Sequence, residues 1–216
     1  MLKKILTVLA ALIIVLVIII ATRPSTYSVS RATTVAAPPD VVYSQVADFR
    51  RWGTWSSWSK LDPAMKVTYG GPPSGAGASY AWAGNDKVGE GKMLITSAKP
   101  NQQIDIKLDF IKPFEATCPT QFVFQPAAGG TQVTWTMSGE NNFVMKAFSL
   151  VHNMDAALGG EFETNLRSLK SVSEAEAKRQ AEEQARKAAA DASAAAQAAA
   201  DAAAAQAAAK PSKSRR

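Results

Sequence analysis

The chain reads as an α+β protein: an antiparallel sheet of about seven strands wrapped around a long C-terminal helix. An apolar helix precedes this unit and an alanine-rich helix follows it. Three observations lead there. Between Tyr27 and Ser138, short β-branched or alternating runs are separated by turn residues, with one short helical pattern near their start. From Phe143 the apolar period changes from 2 to 3.6 and holds as far as Leu169. Beyond those limits the composition shifts abruptly, to aliphatic residues before Arg23 and to alanine after Ser173. The divisions that follow are an apolar segment at 1–23, one domain of ordinary size at 24–173 and a low-complexity tail at 174–216.

The apolar segment Ile5–Ala21 (ILTVLAALIIVLVIIIA) has Thr7 as its one polar side chain. As a helix it spans about 25 Å, enough for a bilayer core with snorkelling flanks. Lys3 and Lys4 precede it and Arg23 follows, so the positive-inside bias keeps the N-terminus in the cytoplasm. A cleaved signal peptide is the competing reading, and a buried core helix is a third. A signal peptide normally has a shorter apolar region and a small-x-small cleavage site, for which Ile19 is the wrong residue. The expectation is an uncleaved single-pass anchor in the cytoplasmic (inner) membrane, with the domain on the periplasmic or outer side.

Tyr27–Ala37 is the first expected strand, and Pro38-Pro39-Asp40 ends it. Val41, Val42, Val46 and Phe49 then follow helical spacing. Three of the five tryptophans come next, in Trp52-Gly53-Thr54-Trp55-Ser56-Ser57-Trp58. Each can bury a large area, so the cluster must pack under something or line something. Met65–Tyr69, Ser79–Ala83, Gly89–Thr96, Ile104–Phe110, Gln121–Gln125 and Thr131–Ser138 read as strands joined by short turns. Ile104–Phe110 alternates apolar and charged residues, which predicts one dry and one wet face. Phe143, Ala147, Leu150, Val151, Met154, Leu158, Phe162, Leu166 and Leu169 form a single helical stripe. Gly159-Gly160 lies within it and signals close packing, a kink or a weak point. Glu174–Ala209 predicts a long solvated helix. Ser173 with Glu176 fits a capping box, or the preceding helix simply runs on. The end, Pro211–Arg216, is basic and could touch anionic lipid, or serve only as a solubilising end.

The net charge of +6 is spread along the chain, with no basic stripe interleaved with aromatics, so nucleic acid is not expected as a partner. Cys118 is the one cysteine and His152 the one histidine, so neither a disulfide nor a metal set forms from sequence. No cofactor is expected. His152 has no evident acidic partner and reads as a boundary residue rather than a general base. Asp105 and Asp109 read as the wet side of a strand, and Glu90, between two glycines, is a weak candidate for an inward carboxylate. Gly70–Gly75 is no phosphate cradle, because no Lys-Ser/Thr follows it.

Strand, helix pair, six-strand meander and long C-terminal helix is the helix-grip order. Trp55-Ser56-Ser57-Trp58, Tyr80–Asn85, Val88–Met93, Leu108–Glu115, Gly130–Met137 and Gly160–Lys170 resemble the bacterial SRPBCC proteins. That superfamily is also called START-like or birch-pollen-allergen-like, and such members are often labelled polyketide cyclase/dehydrase. The resemblance covers about Thr26 to Val172 and leaves out the alanine-rich tail. It implies a grip-type cavity, with Trp55, Trp58, Tyr80, Trp82, Met93, Phe110, Trp135, Met154 and Leu158 as candidate lining residues. It does not fix an activity. Three functions fit: a membrane-anchored binding module for a hydrophobic small molecule or lipid; a cyclase/dehydratase-like enzyme using Tyr80 or Glu90 as proton donor; or a structural protein with a collapsed pocket.

Overall fold

The aliphatic start of the chain forms helix α1 (Leu2–Ala21) in a computed structural model that describes residues 1–150 and 153–208. Among the described residues, α1 is the one helix long and apolar enough to cross a membrane. The chain divides into two compact units, Met1–Glu174 and Ala175–Arg216.

In the first unit, β-branched residues make strand β1 (Thr26–Val35). Pro39 opens α2 (Pro39–Ala47), at a position where its missing N–H is not needed. Asp48 ends α2 and accepts a hydrogen bond from the Arg50 backbone N–H at 2.9 Å. That turn delivers the tryptophans to α3 (Trp52–Trp55). The meander follows as β2 (Lys66–Gly70), β3 (Ser79–Ala83), β4 (Glu90–Lys99), β5 (Gln103–Lys112), β6 (Ala116–Ala127) and β7 (Gly130–Glu140). All neighbours pair antiparallel in the order β1-β7-β6-β5-β4-β3-β2. The first strand therefore closes on the last, and the fold is the α+β helix-grip arrangement.

β6 begins earlier than the expected Gln121, because Pro119 does not break it. Pro119 opposes Lys107 of β5, whereas pairing with β7 starts only at Thr120. The proline thus sits where β6 has one neighbour, the place where a missing donor is tolerated.

The stripe from Phe143 to Leu169 is not one helix. It is α4 (Phe143–Phe148) and α5 (Met154–Ala208). Each starts on its own asparagine cap, and the one at Asn153 lies in the break between them. Asn142 Oδ1 accepts from the Met145 backbone N–H at 2.9 Å, and Asn153 Oδ1 accepts from Asp155 N–H at 2.9 Å. Phe143, expected against the sheet, is exposed by 52%, and its neighbour Val144 by 72%. Val151 and His152 lie outside the described residues.

α5 then lies across the inner face of the sheet. Phe162 stacks on Trp135 with centroids 4.1 Å apart, and Leu166 and Leu169 are buried beside it. Arg31 of β1 holds the helix from its edge, with Nη1 2.8 Å from Asp155 Oδ1 and Nε 2.9 Å from Glu163 Oε1. Gly159 lies one turn from each acid, and a Cβ there would run into the Arg31 guanidinium. Close packing therefore accounts for Gly159, while Gly160 faces open space. Ser173 caps nothing, because the helix runs through it. Its Oγ is buried and has no partner among the described residues.

In the second unit the alanine-rich sequence stays helical as far as Ala208. Its polar side chains pair along their own helix, as in Arg179–Glu176 at 2.7 Å and Gln197–Asp201 at 2.9 Å. Residues 211–216 lie outside the described residues.

Candidate functional site: the concave face of the sheet

Alternation along the strands puts one set of apolar side chains on a single face, and the register joins them into rows. One row runs Arg31, Trp135, Phe122, Ile104 across β1, β7, β6 and β5. A second runs Tyr69, Tyr80, Met93, Leu108, Cys118 across β2 to β6. A third, nearest the β5–β6 turn, runs Val67, Trp82, Gly91, Phe110, Ala116.

The first row is sealed. Trp135 is sandwiched between Phe162 and Phe122, with centroids 4.1 and 4.8 Å away. Trp55 is fully buried and meets Phe122 and Trp135 edge-on at 6.5 and 6.3 Å. Its indole N–H and that of Trp52 donate to the carbonyls of Gln45 and Val46 near the end of α2. Most of the tryptophan cluster thus packs under the fold. Trp58 is half-buried against Trp135 at 5.9 Å. Asn165 of α5 straps this loop down. Its Oδ1 accepts from Ser57 N–H at 2.6 Å, and its Nδ2 donates to Ser57 Oγ at 3.0 Å. The buried Trp135 Nε1 has no hydrogen-bond partner among the described residues.

The second and third rows stand open. Tyr80, Trp82, Met93, Leu108 and Phe110 are all half-buried, and Tyr69 is 41% exposed. Their rings form a ladder, Tyr69–Tyr80 at 5.6 Å, Tyr80–Trp82 at 5.9 Å and Trp82–Phe110 at 6.1 Å. Gly91 makes the ladder possible, since any Cβ there would strike the Trp82 ring. The Trp82 indole N–H is fixed by the Val88 carbonyl at 3.0 Å. Leu158 is half-buried on the first turns of α5. The side chain of Met154 lies outside the described residues.

Burial and the neighbouring Tyr69 push the Tyr80 hydroxyl up to about 12, so it is a proton donor rather than a base. At the β6 end of the second row, Cys118 Sγ and the Tyr27 hydroxyl of β1 share a hydrogen bond at 3.5 Å. Burial raises both groups above their ordinary values, so both stay neutral near pH 7. The open face is therefore apolar, aromatic and uncharged. Glu90 is not free to act there, because its carboxylate takes Lys112 Nζ at 2.7 Å.

The opposite parity is wet. Asp109 accepts from Thr117 Oγ1 at 2.6 Å and lies 3.1 Å from Lys107 Nζ. The Thr117 hydrogen bond, then Lys107, hold its carboxyl below the usual range. A shallow depression of about 360 Å³ lies here, between Lys92, Asp109, Glu115 and Thr117. Asp105 accepts from both Gln103 and Gln121. Among the described residues no group of three or more His, Cys, Asp or Glu could hold a metal.

Tyr27, Arg31 and Asn165 were not singled out from sequence, and Cys118 only as the one cysteine. Parity with Val29 could have found Tyr27. The other three gain their roles only through contacts distant in the chain.

Residues 26–174 match the protein family described as polyketide cyclase / dehydrase and lipid transport. No curated protein matches the chain. Among solved structures, a Rhizobium leguminosarum protein is similar at TM-score 0.52 and 14% identity, over 69% of this chain and 95% of its own. A Chromobacterium violaceum protein is similar at 0.50 and 13%, over 70% and 98%. The Aha1 dimer of Colwellia psychrerythraea is similar at 0.50 and 16%, over 68% and 96%. At these identities the likeness is one of fold.

Proposed function

This chain belongs to the polyketide cyclase/dehydrase and lipid transport family, within the SRPBCC superfamily, and on that premise we propose that it is a membrane-tethered binding module for a hydrophobic small molecule or lipid. The family is one of helix-grip domains that take hydrophobic ligands. In this reading α1 is an uncleaved anchor in the inner membrane, the domain at 24–173 is displayed on the periplasmic side and the alanine-rich tail takes no part in binding.

The observation that carries the reading is the open aromatic ladder. Tyr80, Trp82, Met93, Leu108 and Phe110 form a continuous apolar surface that stays half exposed beside a core that is fully packed. A contiguous apolar patch on a folded domain marks a binding surface more often than a defect. Neutral tyrosines around it offer hydrogen bonds without charge, which suits an apolar body with a weakly polar end. Native mass spectrometry of the full chain released from micelles tests this. The expected result is an adduct with the mass of a lipid or other hydrophobe, much reduced in Trp82→Ala. An adduct that Trp82→Ala leaves unchanged would be lipid around α1 and would sink the reading.

A cyclase/dehydratase-like reading has one observation in its favour, the protonated Tyr80 hydroxyl within the ladder. Tyr80→Phe separates the two. A binding module keeps its ligand occupancy, whereas an enzyme that uses Tyr80 as its acid keeps binding and loses turnover of a polyketide substrate.

A further inference from the structure

The strand register brings two exposed apolar segments to the same end of the sheet. Thr26 of β1 opposes Glu140 of β7, and Phe110 of β5 opposes Ala116 of β6. The β5–β6 turn, the β7–α4 connection and the start of β1 therefore share one rim. The turn carries Phe114, exposed by 81%, and the last residues of β5 carry Ile111, exposed by 45%. α4 carries Phe143 and Val144, exposed by 52% and 72%. The β6–β7 turn at Ala128 lies at the other end, ten residues of β1 away, or roughly 30 Å.

This rim is also where α1 arrives. Four residues, 22–25, separate Ala21 from β1, and they are pinned to the α4 segment. Asn141 N–H donates to the Ser25 carbonyl at 2.8 Å and Asn141 Nδ2 to that of Pro24 at 3.2 Å. Arg23 Nη2 donates to the Ser149 carbonyl at 3.2 Å. Lys146 Nζ of α4 donates to the carbonyl of Ala21, the last residue of α1, at 3.3 Å. The domain is stapled, not leashed, to the end of the apolar helix.

We infer that this rim is a second membrane contact: Phe143 and Val144 of α4, Ile111 at the end of β5 and Phe114 of the β5–β6 turn insert into the interface of the bilayer that α1 spans. The inference rests on the reading of α1 as a membrane anchor. The occupant follows from continuity. If the last turn of α1 leaves the hydrocarbon at Ala21, α4 is bonded to that same turn and lies at headgroup depth. There, exposed Phe and Val side chains are favoured rather than penalised. The third row of the concave face, with Trp82 and Phe110, opens toward this same rim. Its ligand would therefore meet the protein at the lipid surface.

The test uses the full chain in phosphatidylcholine/phosphatidylglycerol vesicles, with nitroxides on single introduced cysteines at Phe114, Val144, Ala128 and Ile13. Native Cys118 is buried, and labelling of the unaltered chain checks that it stays unreacted. The collision rate with oxygen relative to a water-soluble nickel chelate reports depth. Labels at Phe114→Cys and Val144→Cys should favour oxygen by about threefold or more over Ala128→Cys, as expected for side chains at the acyl boundary. Ile13→Cys is the lipid reference. If Phe114→Cys and Val144→Cys match Ala128→Cys while Ile13→Cys reads lipid, the rim is wet. The inference then fails and the anchor stands. If Ile13→Cys also reads water, the anchor reading fails and takes the rim with it. Dipolar broadening between Val144→Cys labels, with low access to both reagents, would mean that a second copy of the chain covers the rim, and would overturn the bilayer as occupant.

Discussion

Two halves of one sheet face meet different fates. Under α5, Trp135, Phe122 and Ile104 are closed in by Phe162, Leu166 and Trp55 and reach 3% exposure or less. Four to six residues further along β5, roughly 13–20 Å, Leu108 and Phe110 stay half exposed beside Met93, Tyr80 and Trp82 of the neighbouring strands. Strand chemistry does not separate them, since both halves are apolar and aromatic. The difference lies in the covering helix. Phe162, Leu166 and Leu169 are buried, Leu158 is half-buried and Phe143 faces out. An uninterrupted helix from Phe143 would have continued the stripe across the sheet, but α4 ends at Phe148 and α5 starts anew from the Asn153 cap. An open apolar surface can thus be made by stopping a helix rather than by carving a cavity.

The comparison can be broken most forcefully from the sealed side. Phe162→Ala removes the ring stacked on Trp135, and a cavity in packed surroundings should cost about 3–5 kcal/mol, read as a loss in urea midpoint. Trp82→Ala, on the open side, removes a larger ring that is packed on one side only. Its cost should be about 1–2 kcal/mol, because the site keeps less of the transfer and cavity terms. Equal losses for the two variants would show that the open half is core. The smallest effect probes the clamp that sets the edge of the cover. The hydrogen bond from Arg31 holds the Asp155 carboxyl below its ordinary value. A depressed folded value means that the stability it contributes is present above the unfolded value, near 4, and is lost as pH falls through the folded one. Asp155→Asn should therefore lower Tm slightly at pH 7, and the gap should close as pH drops below the carboxylate range. A gap that persists at low pH would exclude the ion pair as its source.

Much of this was legible in the sequence, for local reasons. Alternation in Ile104–Phe110 and Thr131–Ser138 needs only period 2 to declare a strand and its dry face, and the register keeps those faces together. The same parity puts Tyr80, Trp82, Met93 and Phe110 on one face, as the register has them. The early start of β6 was not legible, because a proline's cost, here at Pro119, depends on whether a neighbour strand wants its N–H, which one strand alone does not reveal. The α4/α5 break has one local mark, the capping residue Asn153, and the apolar stripe that runs on across the gap hides it. Arg31, Asn165 and Cys118 act on partners far along the chain, as in Arg31 with Asp155, and no periodicity carries that information.

The closure of β1 on β7 also sets an order of events during synthesis. β1 leaves the ribosome directly behind α1, but its sole neighbour in the sheet, Gly130–Glu140, is the last strand to be made. At the roughly 5–20 residues per second of translation, β1 waits on the order of ten seconds with its edge unsatisfied. Any helper that shields a nascent β-strand would have its work here, on Thr26–Val35, rather than on the hairpins that follow and pair almost as soon as they emerge.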